Sequence, residues 1–303
     1  MGRTVVVGVD GSSTAAAALA WSLEVAASSG ADLEVLHAWR WDVPTPLPTI
    51  PELPSRLAEA ALATAEQQLA HALAARPAGA PPVRSSARTA EGDPASALVH
   101  AATNAELLVL GRHGQSELSR RLLGQVLGSV AAHCLSTSSA PVVVVPLGAA
   151  PGAPDRVVVG VDGSDASARA LRWAHGHARA AGGRLVAVLT WQLTTLPAPS
   201  STTPGVVPPL PQWQAKAEHL LASVCRAALG GGAQDVEQVA LHEPAASGLL
   251  EVVTERDLLV LGERGRGGFA RLLLGSVSRQ CAEQAPCPVV VVPPADRLAA
   301  RGA

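Results

Sequence analysis

Short, wholly apolar runs alternate along this chain with longer stretches in which Ala and Leu are spaced among polar residues. Residues 4–9 are one such run, rich in β-branched Val and too short for a helix. Runs of this kind are typical of strands buried on both faces of a parallel sheet. An Ala-rich helix follows from about Thr14 to Ser29, closed by Gly30, a favourable residue just past a helix end. Leu33–Ala38 predicts a second strand, and about Ser55–Ala75 a second helix in which Glu59, Glu66 and Gln67 sit among Ala and Leu. Val83–Thr89 reads as a less apolar third strand nearer a sheet edge. A short helix from about Ala95 leads to strand four, Leu107–Leu110, and a last helix ending near Ser136 leads to strand five, Val142–Val145.

The whole pattern then returns. Val5-Val6-Val7-Gly8-Val9-Asp10-Gly11-Ser12 recurs unchanged as residues 157–164, and Trp21, Gly30, Leu33 and Trp39 map onto Trp173, Gly182, Leu185 and Trp191. Leu107–Gly111 reappears as Leu258–Gly262, and Val142–Pro146 as Val289–Pro293. Solenoid repeats run at roughly 20–50 residues, so this period is that of a duplicated domain. Strands are expected near 156–161, 184–189, 236–241, 258–261 and 288–292. Alternating strands and helices imply an α/β fold, doubly wound with a mainly parallel sheet, in two tandem domains. The expected domains are 1–147 and 155–296, joined by the linker Leu147–Pro154. Asp42–Pro54 and Thr194–Pro211 break the pattern at equivalent places after strand two, too rich in Pro for helix or central strand. Each reads either as a surface connection or as a cover over a ligand at the strand carboxyl ends.

Composition narrows the classes. Hydrophobic residues make up 48% of the 303, with no Tyr and a single Phe, so aliphatic packing builds the cores. A formal net charge of −2 without a basic run argues against nucleic-acid binding. No run of 18 uninterrupted apolar residues occurs and the amino terminus enters a strand directly, which predicts neither membrane span nor signal peptide. Four scattered cysteines without metal spacing read as free thiols in a reducing cytosol, hence a cytoplasmic protein.

The chemistry concentrates after strand four of the second copy. Gly262-Glu263-Arg264-Gly265, nine residues, then Gly275-Ser276-Val277 spell G-x2-G-x9-G-S. Glycines directly after a buried strand let amides approach a ligand closely. Gly275-Ser276 opens an apolar helical stretch, whose free N–H groups would complete a phosphate cradle with the Ser276 hydroxyl and Arg264 or Arg266. Asp10 and Asp162, at the carboxyl end of strand one, fit the acceptance of hydrogen bonds from ribose hydroxyls. Asp-Gly-Ser also reads as a turn with a helix N-cap, and the two roles are compatible. Strands one and four would flank the point where an open sheet reverses its winding, the usual ligand crevice.

On these motifs the chain resembles the universal stress protein family in its tandem form, over about residues 4–146 and 156–293. The resemblance implies a five-stranded parallel sheet of order 3-2-1-4-5 in each domain and binding of ATP, with Mg2+ as a companion. It implies that Asp162 holds the ribose, backbone near Thr190 meets adenine, and Gly262, Gly265, Gly275 and Ser276 hold phosphates, with Gly160 and Val277 also in the nucleotide site. The corresponding positions in the first copy are Gly8, Asp10, Ala38, Gly111 and Gly114. It also suggests pairing of the two valine-rich last strands, a homo-oligomer such as a dimer, and a protein client in stress or dormancy physiology. The first copy departs from the pattern: nine residues after Gly114 stands Gly124, followed by Gln125 rather than Ser. Gly128-Ser129-Val130 copies the triplet Gly275-Ser276-Val277 but stands four residues, about one helical turn, too late. Gly128 and Ser129 are the favoured pair, with Gly124 the alternative.

Nothing names a catalytic base. No Walker A motif is present, since the only Lys is Lys216, and no G-x-S-x-G elbow occurs. His37 and His113 either border the first site or are simply packed or solvent-facing. The expected function is an ATP-binding, nucleotide-responsive regulator. The alternatives are an interaction scaffold with a vestigial nucleotide site and a slow ATPase.

Overall fold

Val5, Val6 and Val7 have almost no exposure because both faces of their strand are covered. The computed structural model describes residues 3–40, 53–114, 127–193, 209–265 and 274–299. Gly124, Arg266 and most of both proline-rich segments lie outside the described residues. The chain divides into two compact units, residues 1–153 with 295–303, and residues 154–294.

In the first unit, β1 (Thr4–Gly8), α1 (Ser13–Ser29), β2 (Asp32–Trp39), α2 (Leu53–Ala74) and β3 (Ser85–Glu91) come first. They are followed by α3 (Pro94–Ala101), β4 (Leu107–Gly111), α4 (Ser129–Thr137) and β5 (Val142–Val145). The second unit repeats them as β6 (Arg156–Gly160), α5 (Asp165–Ala181), β7 (Arg184–Thr190), α6 (Leu210–Leu229) and β8 (Val236–Leu241). Then come α7 (Ala245–Val252), β9 (Asp257–Gly262), α8 (Ser276–Gln284) and β10 (Val289–Val292). A 3-10 turn, Gly230–Asp235, precedes β8. A final helix, α9 (Ala295–Ala299), belongs to the first unit, where Arg297 donates to the Ser138 carbonyl.

Strand order is β3-β2-β1-β4-β5 in one unit and β8-β7-β6-β9-β10 in the other, and the paired strands are parallel. The α/β architecture and the strand order expected from the sequence are thus both present. Ser12 and Ser164 cap α1 and α5, and Gly30 and Gly182 end those helices with φ of 68° and 69°. The duplication therefore preserves the punctuation as well as the strands.

Three boundaries differ from the sequence reading. α2 begins at Leu53 and α6 at Leu210, so Pro54 and Pro211 lie inside helices that their prolines had argued against. Proline is tolerated in the first helical turn, where its missing N–H has no partner to lose. β3 runs Ser85–Glu91 rather than Val83–Thr89, because the register with β2 continues to Trp39↔Glu91. It is an edge strand of alternating exposure, so backbone pairing and not hydrophobicity sets its end.

The four cysteines are free and buried. Burial chiefly pushes the Cys134 and Cys281 thiols up to about 12, so both stay protonated. Among the described residues no helix is long and apolar enough to cross a membrane.

Candidate functional site

The winding reverses between the paired strands β1 and β4, and again between β6 and β9, and there an open sheet leaves a crevice just past the strand carboxyl ends. In the second unit a cavity of ≈ 500 Å3 opens there. It is lined by Gly160, Asp162, Thr190, Gly262, Arg264, Gly265, Gly275, Ser276 and Val277. Every second-copy residue that the sequence singled out and the structure describes faces this one space.

Its geometry begins with Asp162. Gly163 turns the chain out of the strand with φ of 80°, a conformation that suits glycine. The Asp162 Oδ1 atom accepts hydrogen bonds from the Ser164 amide (2.9 Å) and hydroxyl (2.6 Å). Ser164 Oγ in turn accepts from the Ser167 amide at 3.1 Å, capping α5. The turn-and-cap reading therefore holds, and it leaves Oδ2 turned toward Gly265. A Cβ on Gly265 would fall inside that carboxylate. On Gly262 it would stand 2.8 Å from the Ala166 carbonyl, and on Gly275 3.0 Å from the Glu263 carbonyl oxygen. The three glycines thus let α5, the loop after β9 and the start of α8 converge.

Gly275 is the N-cap of α8, so among the described residues the first-turn N–H groups have no side-chain cap and can serve another acceptor. A helix amino terminus carries partial positive charge and favours anions. Ser278 donates to the Gly262 carbonyl at 2.7 Å, tying α8 to the loop. Arg264 joins the cavity wall, its Nε 3.4 Å from Glu263 Oε1. Glu263 itself is 2% exposed.

At the far end the structure adds residues that the sequence reading did not name as site residues. Trp191, Gln192, Glu243 and Leu249 complete the wall. The Trp191 indole stacks on His242 with ring centroids 4.3 Å apart and donates to Gln214 Oε1 at 2.9 Å. Gly248, inside α7, lets that helix press on Thr190 and Glu243, since a Cβ there would be 2.8 Å from Thr190 Cγ2. The available signal was positional: Gln192 and Glu243 stand just past the carboxyl ends of β7 and β8, where ligands of open sheets lie.

The first unit rebuilds the same corner. Asp10 Oδ1 accepts from the Ser12 amide at 3.0 Å, and a Cβ on Gly114 would stand 2.9 Å from Asp10 Oδ2. Gly111 abuts the Thr14 backbone, and Gly8 lies between the Leu98 and Leu110 side chains. Gly128 is the uncapped N-cap of α4, with φ −61° and ψ 147° against −66° and 147° for Gly275. The Gly128 amide donates to the Arg112 carbonyl at 2.9 Å, as the Gly275 amide does to that of Glu263 at 2.9 Å. Gly128 and Ser129 therefore occupy the place of Gly275 and Ser276 despite the four added residues. Ala38 sits on β2 opposite Ala90. His37 is half-buried beside it, and burial pushes its imidazole below the ordinary value against the opposing pull of Asp10. His113 offers its carbonyl to the Thr14 hydroxyl.

Fold and crevice together define a tandem, doubly wound α/β protein whose glycine-walled pocket lies at the strand carboxyl ends. A family model described as the universal stress protein family matches residues 1–146 and 154–293. A universal stress protein of Mycolicibacterium smegmatis is 31% identical over 304 residues, spanning 96% of this chain and 97% of its own. Universal stress protein Rv2623 of Mycobacterium tuberculosis is 32% identical over 307 residues, with 95% of each chain covered. The crystal structure of a universal stress protein from Archaeoglobus fulgidus superposes with a TM-score of 0.65 at 20% identity, covering 96% of this chain and 98% of that one. At that identity the likeness concerns the fold. The chain belongs to the universal stress protein family.

Proposed function

We propose that the chain binds adenine nucleotides, ATP foremost and with its Mg2+, and acts as a nucleotide-responsive regulator. The observation that carries this reading is the cavity between β6, β7 and β9, where glycine amides, an uncapped helix start and the Asp162 carboxylate share one wall. Its ≈ 500 Å3 lies within the range of small-ligand pockets. In this reading the amides of Gly265, Ser276 and Val277 hold phosphates, with the Ser276 hydroxyl and Arg264 beside them. Asp162 accepts from ribose, and Thr190 with its neighbours faces the base. Gly8, Asp10, Ala38, Gly111, Gly114, Gly128 and Ser129 play these parts in the first unit. In this reading the role is binding, with slow ATP hydrolysis as the alternative. We place the protein in the cytoplasm as a homo-oligomer, such as a dimer, acting on a protein client.

Equilibrium dialysis with labelled ATP tests the reading. Binding at or below millimolar nucleotide is expected, together with its loss in the double variant Gly265→Ala, Gly275→Ala. Absence of binding, or intact binding in that variant, would sink it. A scaffold role with a vestigial site has one observation in its favour: each loop glycine already has a packing reason within the protein. Native mass spectrometry of the purified chain separates the two, since retained nucleotide favours the first and a bare chain the second.

A further inference from the structure

The residue after the first loop glycine differs most sharply between the two sites. In the second unit it is Glu263, and in the first it is Arg112. Their backbones are interchangeable. The Arg112 amide donates to Val145 at 3.0 Å and the Glu263 amide to Val292 at 3.1 Å. The carbonyl of each accepts the N-cap glycine amide at 2.9 Å. Both side chains are buried, with the residues 7% and 2% exposed. A buried acidic residue in one unit and a buried basic residue in the other therefore stand at the same position of the glycine loop. In the second unit the residue's effect reaches the cavity wall directly, because Glu263 draws the Arg264 guanidinium against the loop and offsets its charge.

We propose that this position is a specificity determinant that sets the phosphate charge each site accepts. Glu263 biases the second site toward nucleotides with few phosphate charges, and Arg112 biases the first toward those with more. The inference rests on the nucleotide reading above. A buried carboxylate is poorly screened by solvent, so it opposes each added negative charge on a ligand at the adjoining amides. A buried guanidinium at the same place does the reverse.

The test uses the full chain, with the first site filled by Gly114→Leu, and metal-free titrations of ATP and AMP followed calorimetrically. In Glu263→Gln, ATP should tighten by about tenfold while AMP moves by less than about twofold, an estimate for removing one buried charge near the phosphates. A common shift of both ligands, or weaker ATP binding, overturns the proposal. If Glu263→Gln does not fold, the mirror experiment decides: with the second site filled by Gly265→Leu, Arg112→Gln should weaken ATP by about tenfold relative to AMP. An unchanged ratio there overturns it as well. Loss of all nucleotide binding in the unsubstituted chain would instead remove the nucleotide reading itself, which separates the two failures.

Discussion

The two units share one backbone solution and furnish it with different charges. Each has the same strand order, the same serine-capped first helix and the same N-cap glycine bonded to the loop carbonyl. Where Glu263 is buried in one, Arg112 is buried in the other, and where His37 sits on β2, Leu189 sits on β7. The loop after strand four is also held from opposite sides. In the first unit the Thr14 hydroxyl of α1 grips the His113 carbonyl, while in the second Ser278 of α8 grips the Gly262 carbonyl. Duplication has therefore kept what the backbone requires and let the side chains diverge. That is the pattern expected if the two crevices accept different ligands.

The largest difference in stability should come from the amino ends of the strands. Arg156 and Asp257 join β6 to β9 with Nη2 2.7 Å from Oδ2, and the Asp257 side chain is 1% exposed. Arg3 and Glu106 make the matching link in the first unit, but with side chains 54% and 29% exposed. Burial tends to raise the Asp257 carboxyl, yet the Arg156 guanidinium and the Thr254 amide and hydroxyl outweigh it and hold the group below the usual range. Asp257→Ala should cost about 3 kcal/mol, since it strands a half-buried guanidinium. Glu106→Ala should cost less than about 1 kcal/mol. Urea melts of both variants measure the contrast. The sign of the pH effect follows: the Asp257 contribution is full above the ordinary carboxylate pKa and is lost as pH falls through its lower folded value. Asp257→Ala should therefore flatten the acid limb of the stability curve.

The glycine walls supply the next largest effect. A leucine at Gly265 must displace the Asp162 carboxylate, and one at Gly114 that of Asp10. Each should weaken nucleotide binding at its own site by about 2 kcal/mol or more, in line with overpacking of a close-fitted site. Dialysis stoichiometry would then fall by one site in either variant and by both in the double variant. Equal loss of both sites from Gly265→Leu alone would break the picture of two separate crevices.

Much of this arrangement was legible in the chain. The Val runs at 5–7, 142–145, 157–159 and 289–292 announced buried strands because three or four β-branched residues in a row suit the doubly covered strands of a parallel sheet. Asp162 and the glycines at 262, 265 and 275 could be brought together from the sequence because sheet order places the ends of β6 and β9 side by side. Glu263 was hidden for the opposite reason. A Glu in a loop reads as solvated, and only the approach of α8, through the Gly275 amide, encloses it. Trp191 and Gln192 lie just past β7 and Glu243 just past β8, so their meeting depends on how α7 packs through Gly248. Pro54 and Pro211 misled because composition does not distinguish a proline in a first helical turn from one in a loop.

The two loop tethers come next in size. Thr14→Ala and Ser278→Ala each remove one side-chain hydrogen bond to a loop carbonyl and should cost about 1 kcal/mol. Ser278 also lines the second cavity, so Ser278→Ala should weaken nucleotide at that site, and Thr14→Ala at the first. Site-resolved titrations in the Gly114→Leu and Gly265→Leu backgrounds would show whether each tether acts only within its own unit. Cross-effects of equal size would mean that the loops are coupled.

The smallest effect is the most specific. His37 is half-buried on β2, with its Nδ1 atom buried and lacking a hydrogen-bond partner among the described residues. Burial lowers its pKa and the Asp10 charge opposes that shift only in part. The folded protein therefore binds this proton less readily than the unfolded chain. The sign follows by linkage: the stability that the neutral imidazole supports is intact above about pH 6.5, the ordinary histidine value, and is lost as pH falls through the lower folded value. His37→Leu, which installs the residue found at position 189, should flatten the stability profile between those two values. The stability at pH 8 should move by less than about 1 kcal/mol. The equivalent exchange in the other unit, Leu189→His, places an imidazole at a fully buried position and should introduce the same slope. A profile unchanged by His37→Leu would show that the pH response of the first unit arises elsewhere than at the strand beside Asp10.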